Sequence, residues 1–327
     1  MKHFLKSVLP LLAVAGMAVA SGGAVAQTNL RLAVETTPGD PLNVMLATFR
    51  DALQQAAGSD VEIEFFDGGA LGDETALMEM IRVGEVEVVP LGSDVVQLDS
   101  KFALFDAPFL FADKQKARAA LDGELGELLT QSLREAADLQ VIAFGELGFR
   151  VISNNVRPIE TPADLKGLKL RTPGSETRLL AFQMLGASPT PMALGEVYVA
   201  LRQGALDGQE NPLSVVKEFS FFEVQKYISL TNHVYTPITL AMHGSTWDSL
   251  APDLQEKVKQ AAQKGAEATR ELSDKSDAEL VSEFEAAGVM VNTPDAAAFQ
   301  QAAGPIRDEI AKIVTPEFMS QVDAILN

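Results

Sequence analysis

The chain has 327 residues, 47% hydrophobic and 22% charged, which suits about two folded domains and excludes a disordered tail. Its 26 basic against 45 acidic residues leave a net charge of -19, which argues against a general nucleic-acid binder because backbone phosphates demand a basic face. There is no cysteine, so disulfides, thiolate metal sites, cysteine nucleophiles and cysteine-linked lipid anchors are excluded.

Lys2 and Lys6 precede a 13-residue apolar run over 8–20, and a small-residue segment ends in Ala24-Val25-Ala26. This is the layout of a secretory signal peptide over 1–26, with cleavage after Ala26 and a competing site after Ala20. The run is shorter than the ~20 residues that span a bilayer, and no later stretch has ~18 consecutive apolar residues. A soluble mature chain beginning at Gln27 is expected, with its acidic surface keeping it in solution.

Residues 30–34 predict a strand, and Asp40-Pro41 opens a helix through about 56, since Asp caps well and Pro suits the first helical position. Val61, Ile63 and Phe65 alternate with Glu62 and Glu64, which predicts a second strand. A helix follows over about 73–83, then a third strand over 85–91. Strand, helix, strand, helix, strand implies a parallel sheet with helical crossovers. The same grammar recurs later. Strands are predicted over 141–144, 149–153, 168–171 and 205–207, with a capped short helix at Thr161-Pro162-Ala163-Asp164 and helices over about 176–185 and 194–203. Two α/β lobes fit this pattern better than one long sheet. After Pro252 strong helix formers dominate to about 287. Periodicity alone leaves two readings open: two ordinary helices broken near Ser273-Asp274, or one helix laid across both lobes.

Catalytic signatures are lacking. There is no H-E-x-x-H, no G-x-S-x-G and no phosphate loop ending in Gly-Lys-Ser/Thr. The stretch 68–72 is glycine-rich, but Asp73 and Glu74 follow it and would repel phosphate, so it predicts a turn. His233 and His243 form no recognisable metal site, and no metal or cofactor is expected.

A binding site is easier to place. Ligands of open α/β sheets sit beyond the carboxyl ends of the strands. Arg171 ends a predicted strand, Arg150 begins another, and Asn211 follows a third. Two guanidinium groups and an amide could thus meet in one crevice. A planar guanidinium matches a carboxylate bidentately, and an anion needs such local cations on an acidic protein. The competing reading makes each arginine a surface ion-pair partner. Glu35, Ser93 and Asp94, at strand ends, are candidate contacts from the first lobe, against a solvated-loop reading for each.

The segments Gly148-Phe149-Arg150 and Thr161-Pro162-Ala163-Asp164-Leu165-Lys166-Gly167-Leu168-Lys169-Leu170-Arg171 resemble the middle of a TRAP-transporter solute-binding protein. The likeness continues through Gly186-Ala187-Ser188-Pro189-Thr190-Pro191-Met192, Asp207-Gly208-Gln209-Glu210-Asn211-Pro212 and Thr231-Asn232-His233. It covers nearly the whole mature chain and is similar to the dicarboxylate- and sialate-binding branch of that family.

The resemblance implies a periplasmic receptor, not an enzyme, with a two-lobed α/β periplasmic-binding-protein fold and one long helix spanning both lobes. It places the first lobe at 27–147 plus 237–276 and the second at 148–236 plus 277–327. It implies that Arg171 grips the ligand carboxylate, that Arg150 gives a second contact, and that Asn211 hydrogen-bonds the ligand. Sialate binders carry an aromatic residue where this chain has Leu194, which argues against sialic acid. No uronate-binder pattern is visible over about 215–235. The expected ligand is a C4-dicarboxylate or a short hydroxy or sugar acid, the expected partners are the membrane subunits of a TRAP transporter, and the chain is expected to act as a monomer. The rival functions are a secreted α/β hydrolase or lyase, and a binding protein that serves a sensor.

Overall fold

The structure, a computed structural model, describes residues 27–326. The signal-peptide reading of 1–26 lies outside the described residues. Among the described residues eleven strands form two sheets: β1 (Thr28–Ala33), β2 (Val61–Phe66), β3 (Val88–Leu91), β4 (Leu139–Phe149), β5 (Val151–Asn154), β6 (Lys169–Thr172), β7 (Ser188–Pro191), β8 (Gly208–Asn211), β9 (Tyr227–Ser229), β10 (Tyr235–His243) and β11 (Met290–Asn292). The first sheet runs β2-β1-β3-β10-β4 and the second β11-β9-β5-β8-β6-β7. Strands β1, β2 and β3 are parallel, as the strand-helix alternation predicts, while β10 is antiparallel to both β3 and β4.

The caps predicted at Asp40 and Thr161 hold, and Asp73 adds a third. Asp40 accepts a hydrogen bond from the Leu42 amide at 2.9 Å and starts the helix Pro41–Ala57, which buries Leu42, Met45, Leu46, Phe49 and Leu53. Asp73 caps Glu74–Val83, and Gly84, with φ of 72°, ends it in the left-handed conformation that glycine tolerates. Thr161 and Asp164 form a reciprocal capping box on a short 3₁₀ turn, Pro162–Leu165.

Three strands depart from expectation. Residues 205–207 are not a strand, and the pairing falls instead on Gly208–Asn211, where Gly208 and Asn211 pair with β5. The predicted break after 144 is absent, and β4 continues to Phe149. Gly148 sits at φ of 106°, and the pairing with β10 shifts register between Thr236 and Pro237 and between Leu240 and Ala241. These bulges let one strand absorb the glycines and turn without ending. At Arg150 the chain leaves the first sheet and at Val151 it enters the second. It returns through residues 230–234, where Val234 O accepts from the Arg150 amide at 3.0 Å.

The segment after Pro252 is one helix, Pro252–Ala286, of 35 residues and so about 52 Å long. It packs on Pro41–Ala57 and β4 of the first lobe and on Leu213–Glu218 and β11 of the second. Near Ser273-Asp274, where a break was conceivable, ion pairs hold it. Arg118 binds Asp274 at 2.7 Å and buried Glu146 at 2.6 Å, and Lys114 reaches Asp277 at 2.6 Å. The C-terminal helices Ala296–Val314 and Pro316–Leu326 touch both lobes. Phe299 packs with Ile152, Leu165 and Phe182, whereas Ile310, Phe318 and Val322 share a buried cluster with Phe102, Leu121 and Leu125. Among the described residues no helix is long and apolar enough to cross a membrane.

The strut lies close to the first lobe at Gly265, where an added Cβ would stand 2.7 Å from the Met45 carbonyl oxygen. Backbone cannot retreat there without separating two helices. Gly265→Val is therefore expected to destabilise the fold by about 1–3 kcal/mol through overpacking, read as a lower urea midpoint; an unchanged midpoint would contradict this packing.

Candidate ligand-binding site

Four strand ends meet between the lobes. Glu35 follows β1, Ser93 and Asp94 follow β3, Arg171 lies near the end of β6, and Asn211 ends β8. Because β6 is parallel to both β7 and β8, its carboxyl end opens toward the crevice, the position that parallel α/β sheets reserve for ligands.

Two cavities adjoin there, of about 190 and 40 Å³. Glu74, Asp94, Arg171 and Leu194 line both, Glu35 lines the larger, and Ser93, Arg150 and Asn211 line the smaller. All seven residues singled out from the sequence thus stand around one interlobe space. The solvated-loop alternative does not describe Glu35, Ser93 or Asp94, which are half-buried. Another cavity, of about 730 Å³, lies beside the crossover and is lined by Phe109, Phe149, Leu230 and Asn232. It contains none of those seven residues and has no buried arginine.

The arginines differ in their partners. Arg150 is paired: its Nε and Nη2 donate to the Glu210 carboxylate, and Nη2 also donates to Asn211 Oδ1 at 2.9 Å. Arg178, on the helix Glu176–Met184, donates to the same Glu210 at 3.0 and 3.1 Å and to Asp106 of the first lobe at 2.8 Å. His233 Nε2 lies 3.2 Å from Glu210, and its Nδ1 lies 2.8 Å from Thr231. Burial would push the Glu210 carboxyl up, but Arg150 and Arg178 outweigh it and hold the group far below the ordinary carboxylate range. Asn211 passes the chain on, donating to Gln209 at 2.7 Å.

Arg171 is 4% exposed, yet no carboxylate lies within ion-pair distance of it among the described residues. Its Nε and Nη2 both donate to the Met192 carbonyl, at 2.9 and 2.6 Å. Burial, with Arg150 nearby, lowers its pKa to about 10, which leaves it a cation at neutral pH. The guanidinium is positioned but not neutralised.

The opposite wall is acidic. Glu35 Oε2 accepts from the Glu74 amide at 3.0 Å, and Glu74 Oε1 accepts from the Gly92 amide at 2.6 Å. Burial pushes Glu35 up to about 7, partly offset by the Glu74 amide, and Asp40 adds to the rise. Glu74 and Asp94 are raised for the same first cause. Glu74 and Met192 are site residues that the sequence reading passed over. The signal for Glu74 was present in Asp73-Glu74 after the glycine turn, but it was used only to argue against phosphate.

The profile described as bacterial extracellular solute-binding protein, family 7, matches residues 32–313. The chain belongs to that family. The 2,3-diketo-L-gulonate-binding periplasmic protein YiaO of Escherichia coli K12 is 36% identical over 313 residues, 95% of each chain. A TRAP periplasmic solute binding protein from Polaromonas sp. JS666, solved bound to D-erythronate, superposes with a TM-score of 0.85 at 32% identity over 92% of this chain and 98% of that one. A Roseobacter denitrificans relative bound to L-galactonate gives 0.84 at 32% over 92% and 99%. The family resemblance and the two-lobed fold expected from the sequence are borne out.

The raised carboxyls carry a sign. A folded-state pKa of about 7 for Glu35 against an ordinary 4.5 means that the folded chain keeps a proton that the unfolded chain has released. That contribution to stability is present below about pH 4.5 and is lost as pH rises through 7. His233, lowered by burial, acts in the opposite sense below its ordinary 6.5. The difference between variants isolates Glu35: in the unliganded protein, Glu35→Gln should gain on wild type as pH rises from 5 to 7.5. Urea unfolding across that range reads it, and a pH-independent difference would contradict it.

Proposed function

We propose that this family 7 protein captures a small organic-acid anion between its lobes and delivers it, chemically unchanged, to the membrane subunits of a TRAP-type transporter from the periplasm. The observation that carries the reading is the unneutralised, buried Arg171 beside the interlobe cavities. A buried cation without a counter-ion is costly, and a ligand carboxylate supplies one. YiaO, named for a sugar acid, and the D-erythronate complex support the same chemistry.

In this reading Arg171 anchors the carboxylate. Arg150 and Asn211 shape the smaller recess, Ser93 and Asp94 close it from the first lobe, and Leu194 forms an apolar wall. The lobes, 27–147 with 237–276 and 148–236 with 277–327, close about the crossings at Arg150 and 230–234, with the C-terminal helices bridging them. Such closure needs a ligand with higher affinity for the closed state, and contacts on both walls provide it. The protein acts as a monomer.

Two arginine substitutions separate binding from folding. Removing one partner of a buried charged pair costs roughly 3–5 kcal/mol, and ~1.4 kcal/mol is tenfold in affinity. Arg171→Ala should therefore weaken the ligand at least about a hundredfold with little loss of thermal stability, and Arg171→Lys should also bind poorly for want of the planar fork. Arg150→Ala should chiefly lower the melting temperature, because Glu210 and Asn211 lose their shared donor. Calorimetric titration with D-erythronate or another sugar acid that binds the wild type, paired with thermal melts, checks both; binding by Arg171→Ala within about threefold of wild type would sink the anchor.

A further inference from the structure

Resting on that capture reading, we infer that the ligand is a polyhydroxylated monocarboxylate of the sugar-acid type, with Glu35, Glu74 and Asp94 as hydroxyl acceptors that also exclude a second carboxylate. Charge comes first. Of the two arginines lining the cavities, Arg150 is matched by Glu210, so Arg171 alone is left to meet an anion. Against it stand three carboxyl groups on the facing wall. One ligand carboxylate satisfies the single cation. A second, at the far end of a dicarboxylate, would be buried with no cation to meet it, against carboxyl groups already held by backbone amides.

Hydrogen bonding points the same way. A carboxyl group keeps acceptor lone pairs whether ionised or protonated, so it takes donors from whatever fills the cavity. Glu35 and Glu74 are each fixed through one oxygen by a backbone amide, those of Glu74 and Gly92. Asp94 Oδ1 is buried without any hydrogen-bond partner among the described residues. Buried polar atoms are rarely left so, and a hydroxyl is the donor that a dicarboxylate such as succinate lacks. The wall is also rigidly backed. An added Cβ at Gly92 would lie 3.4 Å from Glu74 Oε2, so Glu74 rests on backbone and has little room to withdraw.

The two walls belong to different lobes. Arg171 and Leu194 come from the second, while Glu35, Glu74 and Asp94 come from the first. A sugar acid can satisfy both walls at once, carboxylate to one and hydroxyls to the other, and so favour closure.

The test uses the full exported chain at pH 8, titrated calorimetrically with tetronates and hexonates, including D-erythronate and L-galactonate, and with succinate and malate. At least one sugar acid should bind about a hundredfold more tightly than either dicarboxylate. Glu74→Gln and Asp94→Asn, each first shown folded by circular dichroism, should weaken the sugar acid about tenfold and narrow the gap to succinate. Arg171→Ala separates the two readings. If succinate or malate binds wild type within about tenfold of the best sugar acid and Arg171→Ala abolishes both, the anchor stands and the hydroxyl assignment is overturned. Unchanged selectivity in both acidic-wall variants would also overturn it. If no acid of the panel binds, the capture reading falls and this inference with it.

Discussion

The buried Glu210 carboxylate is the constraint around which the molecule is arranged. It sits in β8, wholly inaccessible, and accepts from Arg150 at the crossing between the sheets, from Arg178 on the helix Glu176–Met184 and from His233 on the return crossing. Arg178 carries the network onward to Asp106 in the other lobe. Burying this many charges is tolerable only when nearly every donor and acceptor is matched. The network thereby fixes both crossings at one point, and a hinge built there has a defined geometry. Arg171 lies just beyond it, on the neighbouring strand, and is the member left without an anion.

That asymmetry explains how a strongly acidic protein can favour an anion at all. The field of the whole chain repels it, but a single guanidinium in a low-dielectric recess acts over short range, where local geometry decides. The Met192 carbonyl takes two of its donors and so sets the plane of the fork without cancelling its charge. The acidic wall opposite keeps the recess from being a general anion trap.

Much of the architecture was legible locally. Asp40-Pro41, Asp73 and the Thr161–Asp164 box each start a turn or helix by satisfying amides within a few residues, and such signals need no tertiary context. The continuity of β4 was not legible, because it depends on pairing with β10 some ninety residues away, and nothing near Gly145 or Gly148 announces it. The long helix was ambiguous for a different reason: its buried stripe runs the whole length but turns polar at Thr269, Ser273 and Ser276, which interrupts the apolar period. Only the family likeness resolved it. Arg171 was legible as a cation at a strand tip. Glu74 was not, because its position over the cavity depends on how the first turn of its helix meets Gly92.

The same comparison shows why the site draws on both lobes so unequally. Parallel strands deliver their carboxyl ends to one edge, and in each lobe the residues just past those ends fall into the crevice by topology alone. Their chemistry differs because their surroundings differ. The second lobe's cation is positioned by the Met192 carbonyl, beside a buried network that takes up that lobe's other charges, while the first lobe's acids hang from backbone amides at a helix start and a strand end. Neither wall completes a binding site by itself. The cation lacks an anion, Asp94 Oδ1 lacks a donor, and the fold leaves both residues lining one space that a single molecule with an anionic end and a hydroxylated end can fill.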